Sequence, residues 1–258
     1  MEIKVTSTID GSNEPSLFYE ARKKNMPLLV VLHTWSFDRF NQIDDFLPYQ
    51  KKLGWNMLFP EFRGPNLASN TRAQQACGSQ LAKQDIADAI FHVIKNYHID
   101  QTNIFLVGSS GGGHMALLMA GFMPMLFKKI IANCSVTDIR RWWSENPGYQ
   151  NGIEACTGGA PDAVPPDEYS RRSPVYYIDT IAKSNLLMLH GKFDQSVPCE
   201  HSMDLFREIH KRYPDSKVFI SITDMAHEWI IEDVICELIR LVKKDTTASN
   251  DSVCVLTK

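Results

Sequence analysis

The chain has 258 residues, 44% of them hydrophobic and 22% charged, and a formal net charge of −3. That length can bury one large core without disulfide or metal support, and the near-neutral charge excludes the broad basic surface that nucleic acid or an anionic membrane demands. The six cysteines, Cys77, Cys134, Cys156, Cys199, Cys236 and Cys254, include no CxxC pair, and Cys199 with His201 lacks a second pair to complete a zinc site. They read as free thiols, and no metal or organic cofactor is expected.

The first residues, Met1-Glu2-Ile3-Lys4-Val5, alternate polar and apolar and lack a signal-peptide run, and no stretch reaches the length of a membrane span. The chain as given is expected to be cytoplasmic, or secreted if a leader has been removed. Ile3 to Ile9 and Ser16 to Arg22 suit two antiparallel strands around the turn-forming Asp10-Gly11-Ser12-Asn13. Pro27 to His33 is then a continuous apolar run, as expected of a strand covered on both faces. Similar runs recur at Met57 to Pro60, Asn103 to Gly108, Lys129 to Cys134, Leu186 to Gly191 and Lys217 to Ile222.

Helical patterns separate these runs. One lies near Gln42 to Leu53, another from Gln80 to Tyr97 with Ala87, Ile90, Phe91 and Ile94 at helical spacing, and others begin at Ser110, Cys199 and Glu228. Strand and helix in alternation imply an α/β architecture with a mainly parallel sheet and helices on both faces, and two leading strands plus six give eight. Between Ser135 and Tyr177 the alternation breaks: Trp142, Trp143, Tyr149, Gly158-Gly159, Pro161, Pro165 and Pro166 are too irregular for one crossover helix. A cap insertion at about 136–178, over the sheet edge where ligands bind, is expected instead. Residues 1–244 read as a single domain and 245–258 as a polar tail expected to be mobile.

Gly108-Ser109-Ser110-Gly111-Gly112 is a GxSxG pattern, set between the apolar Ile104 to Val107 and the helix-like His114 to Met119. A nucleophilic serine on a sharp strand-to-helix turn needs that context, because its flanking positions must be small for helix and strand to approach. The register selects Ser110, since Ser109 would require glycine where Val107 stands. A phosphate-binding turn competes with this reading, but neither a Walker lysine nor a GxGxxG register is present.

A hydroxyl needs a base to take its proton, and the base needs an acid to orient it. Asp194, just beyond Leu186 to Gly191, and His227, just beyond Phe219 to Thr223, follow Ser110 in the order serine, acid, histidine that this architecture uses. Asp194 is preferred to Asp224, which lies only three positions before His227. His227 is preferred to His190, which is better placed to brace the acid loop. The oxyanion formed on acyl transfer needs two preset donors. One is the backbone N–H of Gly111, and the other comes from His33-Thr34-Trp35-Ser36, with Trp35 first and Thr34 second.

GxSxGG, the HGxxDxxVP run His190-Gly191-Lys192-Phe193-Asp194-Gln195-Ser196-Val197-Pro198 and a late histidine resemble the catalytic domain of the prolyl oligopeptidase family and its related single-domain esterases. Phe62-Arg63-Gly64 and Tyr169-Ser170-Arg171-Arg172-Ser173-Pro174 are similar to family patterns too. The resemblance runs from about Pro27 to Leu241 and implies the α/β-hydrolase fold, the triad, and hydrolysis of an ester or amide. Two departures stand out. A short hairpin leads the chain where family peptidases usually carry a large propeller, and His33-Thr34-Trp35 replaces the consecutive glycines or tyrosine of many relatives.

The expected activity is therefore carboxylic ester hydrolysis through an acyl-enzyme. Its substrate would be a small-molecule or saccharide ester, such as an acetyl or feruloyl carbohydrate, with Trp142, Trp143 and Tyr149 lining an acyl or sugar pocket. The alternative is a prolyl-oligopeptidase-like exopeptidase, for which Glu154, Asp162, Asp167 and Glu168 are available to receive a peptide amino terminus. A non-catalytic interaction module fits less well, because all three triad positions are filled in order.

Overall fold

The computed structural model describes residues 1–246, with side chains to residue 243; the expected tail, apart from its first two positions, lies outside the described residues. Eight strands form one sheet in the order β1-β2-β4-β3-β5-β6-β7-β8. β1 (Glu2–Thr6) and β2 (Asn13–Tyr19) make an antiparallel hairpin, and β2 pairs antiparallel with β4 (Asn56–Pro60). β3 (Met26–Leu32), β5 (Ile99–Ser109), β6 (Lys129–Asn133), β7 (Leu186–Gly191) and β8 (Val218–Thr223) run parallel to one another and to β4.

The unbroken apolar runs have a direct cause. In β3, Leu28, Val30 and Leu32 enter one core while Leu29 and Val31 enter the other, since successive side chains of a strand face opposite ways and both faces are covered. The first core packs against α2 (Gln80–Asn96), α3 (Gly111–Phe122), α7 (Ile178–Ile181) and α8 (Glu200–Arg212), and the second against α1 (Ile43–Leu53) and α9 (Ile231–Thr246). α3 is buried on every side from Gly111 to Gly121, so it is apolar all round. Several boundaries differ from expectation: β1 ends at Thr6 rather than Ile9, and β2 runs from Asn13 to Tyr19 rather than from Ser16 to Arg22. β5 starts at Ile99, because Met26 pairs with it across a register shift in β3, and α9 starts at Ile231 rather than Glu228. Among the described residues no helix is long and apolar enough to cross a membrane.

The crossover from β6 to β7 is the irregular segment, made of α4 (Ile139–Glu145), α5 (Gln150–Thr157), α6 (Pro166–Ser170) and α7 joined by short 3-10 turns. Two buried arginines tie the irregular parts down. Arg63, which like Phe62 has a positive φ, pairs with Asp85 on α2 and with Asp10, and bonds to Ser7 and Gln75. Arg172 holds the cap to the segment before α2 through the carbonyls of Gln74, Ala76 and Cys77, with Glu168 neutralising its charge. The strand order reverses at β3, with β4 on one side and β5 on the other. Ligands of open α/β sheets bind at the carboxyl ends of strands flanking such a switch point.

Candidate active site

Ser110 occupies that switch point, directly after β5 and before α3, with φ 55° and ψ −118°. This is a sparsely allowed conformation for a side-chain-bearing residue, held by its surroundings. The Ser110 N–H donates to Asn133 O at 2.9 Å, and Ser110 O accepts from His114 N at 2.9 Å. A Cβ at Gly108 would overlap the Gly112 carbonyl, so the close crossing of strand and helix requires glycine there.

Asp194 follows β7 and His227 follows β8. Asp194 Oδ2 accepts from His227 Nδ1 at 2.6 Å, while Oδ1 accepts the N–H groups of Ser196 and Val197 at 2.9 Å each. Burial pushes the carboxyl pKa up, but hydrogen bonds from His190, His227 and Val197 more than offset this and hold it well below the usual carboxylate range. An ionised acid at Nδ1 fixes the tautomer of His227 with its lone pair on Nε2. The two loops are knit by their backbones, Lys192 N to Thr223 O at 2.8 Å and Phe193 N to Met225 O at 2.9 Å. His190 buttresses the acid: its Nε2 donates to Val197 O at 2.9 Å and lies 3.3 Å from Asp194 Oδ2, and its Nδ1 meets Ser202 Oγ at 2.7 Å.

The loop after β3 separates the two candidates for the second oxyanion donor. Thr34 N–H is bound by Asn41 Oδ1 at 3.1 Å, and Thr34 Oγ1 donates to the same oxygen at 2.9 Å. Trp35 N instead lies against Gly111, 2.5 Å from where a Cβ on that glycine would stand. The backbone nitrogen of Trp35 thus lies close to Gly111, whereas the N–H of Thr34 is already engaged.

Ser110 and His227 line one cavity of about 290 Å³ with Thr34, Trp35, Ser36, Phe37, Gln42, Ser109, Tyr149, Glu228 and Trp229. Of the three aromatic residues expected at the pocket, Tyr149 reaches it. Trp142 is buried in the cap, edge-on to Trp35 at 4.8 Å, with Nε1 donating to Ser196 O, and Trp143 donates to Glu154. The four cap carboxylates do not line the cavity. Glu154 accepts from Trp143, Asp162 pairs with Arg140, and Asp167 and Glu168 face Arg171 and Arg172. Asn133 has no sequence signature, yet its Nδ2 bonds to Ser109 Oγ at 2.8 Å and Glu228 O at 3.2 Å, joining the serine turn to the histidine loop.

A mostly parallel eight-stranded sheet, with a serine on a strained turn after β5, an acid after β7 and a histidine after β8, defines the α/β-hydrolase fold of the serine hydrolases. Residues 52–235 match the model of the prolyl oligopeptidase family, and the chain belongs to that family. It is 26% identical over 240 residues to acylamino-acid-releasing enzyme 2 of Oryza sativa subsp. japonica, across 85% of this chain and 30% of that protein. Identity to the acylamino-acid-releasing enzyme of Homo sapiens is 25% over 203 residues, across 74% of this chain and 27% of that protein. The uncomplexed acylaminoacyl peptidase of Pyrococcus horikoshii shares the fold with a TM-score of 0.72 at 18% identity, over 97% of this chain and 42% of that chain.

The chain thus spans about 30% of the length of the first of these curated relatives. The similarities overturn the expectation of carboxylic ester hydrolysis, the carbohydrate esters and the saccharide substrate included, and favour the exopeptidase alternative. The family is that of a peptidase, and the matched proteins are named as acylamino-acid-releasing enzymes or acylaminoacyl peptidase. The indoles expected to line a sugar pocket are committed elsewhere, one to the interior of the cap and one to Glu154.

Proposed function

We propose that the chain is a serine exopeptidase that cleaves the amide bond after an N-acylated terminal residue of a short peptide. The observation that carries this reading is the pairing of Asp194 with His227 at 2.6 Å beside a cavity that Ser110 also lines. Ser110 Oγ attacks the carbonyl, His227 Nε2 accepts its proton and returns it to the leaving amine, and water then releases the acyl group by the reverse sequence. The N–H groups of Gly111 and Trp35 receive the oxyanion, each contributing on the order of 3 kcal/mol of barrier lowering. Asp194 stabilises the imidazolium formed in transit.

A blocked amino terminus suits the cavity better than a free one. A free ammonium group needs carboxylates around it, and the lining offers only Glu228, which is exposed. The small volume fits one acylated residue rather than a polymer segment, and the relatives named for releasing acylamino acids point the same way. Residues 1–244 act as the catalytic unit in this reading, with the cap as its roof. The test compares hydrolysis of acetyl-alanyl and alanyl nitroanilides. Faster turnover of the acetylated compound, absent in Ser110→Ala, is expected; preference for the free amine would contradict the assignment.

A further inference from the structure

Among the described residues, one group of three metal-ligand side chains converges: donor atoms of Cys134, Asp194 and His227 all lie within 4.8 Å of one another. Two of these belong to the catalytic arrangement proposed above, and the third has no part in it. Cys134 follows β6, next to the strand that leads into Asp194, with a left-handed φ of 45°. Its Sγ lies 3.9 Å from Ala226 O and 3.7 Å from Glu228 O, the carbonyls on either side of His227. A buried thiol pressed against both the acid and the histidine is unnecessary for acyl transfer.

We propose that Cys134, Asp194 and His227 form an inhibitory site for a thiophilic divalent cation such as Zn²⁺. Thiolate, imidazole and carboxylate are the ligand types zinc prefers, whereas Mg²⁺ and Ca²⁺ favour sites built wholly of oxygen. Charge is balanced: one thiolate and one carboxylate offset the two positive charges, so the filled site is neutral in a buried setting. The outer partners are already in place, with the N–H groups of Ser196 and Val197 and the ring of His190 orienting Asp194. The three side chains leave the fourth position of a tetrahedral site to a water, and of the three only His227, 27% exposed at its side chain, is open to solvent.

The proton count explains why such binding inhibits. Without metal, burial pushes the Cys134 thiol up to about 12, so it carries its proton. On binding, that proton leaves to solvent. The imidazole gives its Nδ1 lone pair to the cation and carries its hydrogen on Nε2, so one proton is released in all. With hydrogen on Nε2, His227 can no longer accept the proton of Ser110. The ligand chemistry is independent of the proposed function, while the effect on activity rests on it.

The test titrates the full chain, as wild type, Cys134→Ser and Cys134→Ala, with Co²⁺ as a spectroscopic stand-in, and measures fluorophosphonate labelling of Ser110 under buffered Zn²⁺. Wild type is expected to show a thiolate-to-cobalt charge-transfer band that both variants lack. Zinc should slow labelling of wild type, reversibly on chelation, whereas Mg²⁺ has no effect. Both variants should label at the wild-type rate without metal and need at least about tenfold more zinc for the same slowing. Absence of the band from wild type, or variants as zinc-sensitive as wild type, would overturn the site. A protein that shows the band but never labels would support the site while removing the catalytic reading, so the two failures are distinguishable.

Discussion

The strand ends that carry Ser110, Asp194 and His227 and the cap that roofs them are built by opposite means. At the strand ends the backbone does the positioning: a strained turn at Ser110, glycine where a helix crosses a strand, and N–H groups of its own loop holding Asp194. In the cap, side chains distant in sequence do it. Arg172 reaches carbonyls at Gln74, Ala76 and Cys77, and Trp142 bonds to Ser196. Changes at the strand ends should therefore remove chemistry while leaving the fold intact. Changes in the cap should cost stability before they cost chemistry.

The contrast breaks first if triad substitutions destabilise. Ser110→Ala and His227→Ala should each lower kcat by about a million-fold, the scale of triad deletion in other serine hydrolases. Asp194→Asn should cost about ten-thousand-fold by leaving the wrong tautomer on His227. Thermal midpoints of the serine and histidine variants should stay within a few degrees of wild type; a collapse would mean that these residues hold the fold.

Arg172→Met sharpens the other side. It leaves Glu168 without its buried partner and takes a donor from each of the carbonyls of Gln74, Ala76 and Cys77, and should cost about 3–5 kcal/mol in denaturant unfolding. Activity per folded molecule should fall far less than for any triad variant.

His201 offers a smaller, pH-dependent effect at the seam between α8 and the cap. Its Nδ1 accepts from Thr137 N at 3.2 Å and its Nε2 donates to Glu145 at 3.0 Å. Burial pushes its pKa down to about 4, below the unfolded value of about 6.5. Between those values the unfolded chain binds more protons than the folded one, so this residue makes stability rise with pH from about 4 to 6.5 and adds no slope above. In His201→Gln the rise should flatten when unfolding is followed across that window; an unchanged slope would remove His201 from the account.

The smallest effect is expected at Tyr149, which lines the cavity from the cap side. Tyr149→Ala should raise KM several-fold, about 1 kcal/mol of lost aromatic contact, with kcat little changed. Steady-state kinetics on an acylated substrate separates the two constants.

The same division decides what was legible in the sequence. Apolar runs mark strands because both faces of β3 and β5 are covered, and GxSxG fixes its own register because glycine is needed locally. Chain order then places Asp194 and His227 without further information. The cap lacks such a local code. Trp142 and Trp143 are aromatic wherever they point, and only the folded chain turns one into the cap interior and the other onto Glu154. Asn133 was invisible for the same reason, since it joins Ser109 to a carbonyl 95 positions downstream of itself. Phe37 and Gln42, from the loop after β3, and Trp229, from the segment after β8, meet only at the cavity.

The most direct test of the central claim is peptide mapping of the protein after reaction with a fluorophosphonate. The account predicts one label per chain, located on Ser110, absent from Ser110→Ala and greatly slowed in His227→Ala. Labelling at Ser109 or elsewhere, or labelling that persists in Ser110→Ala, would contradict it.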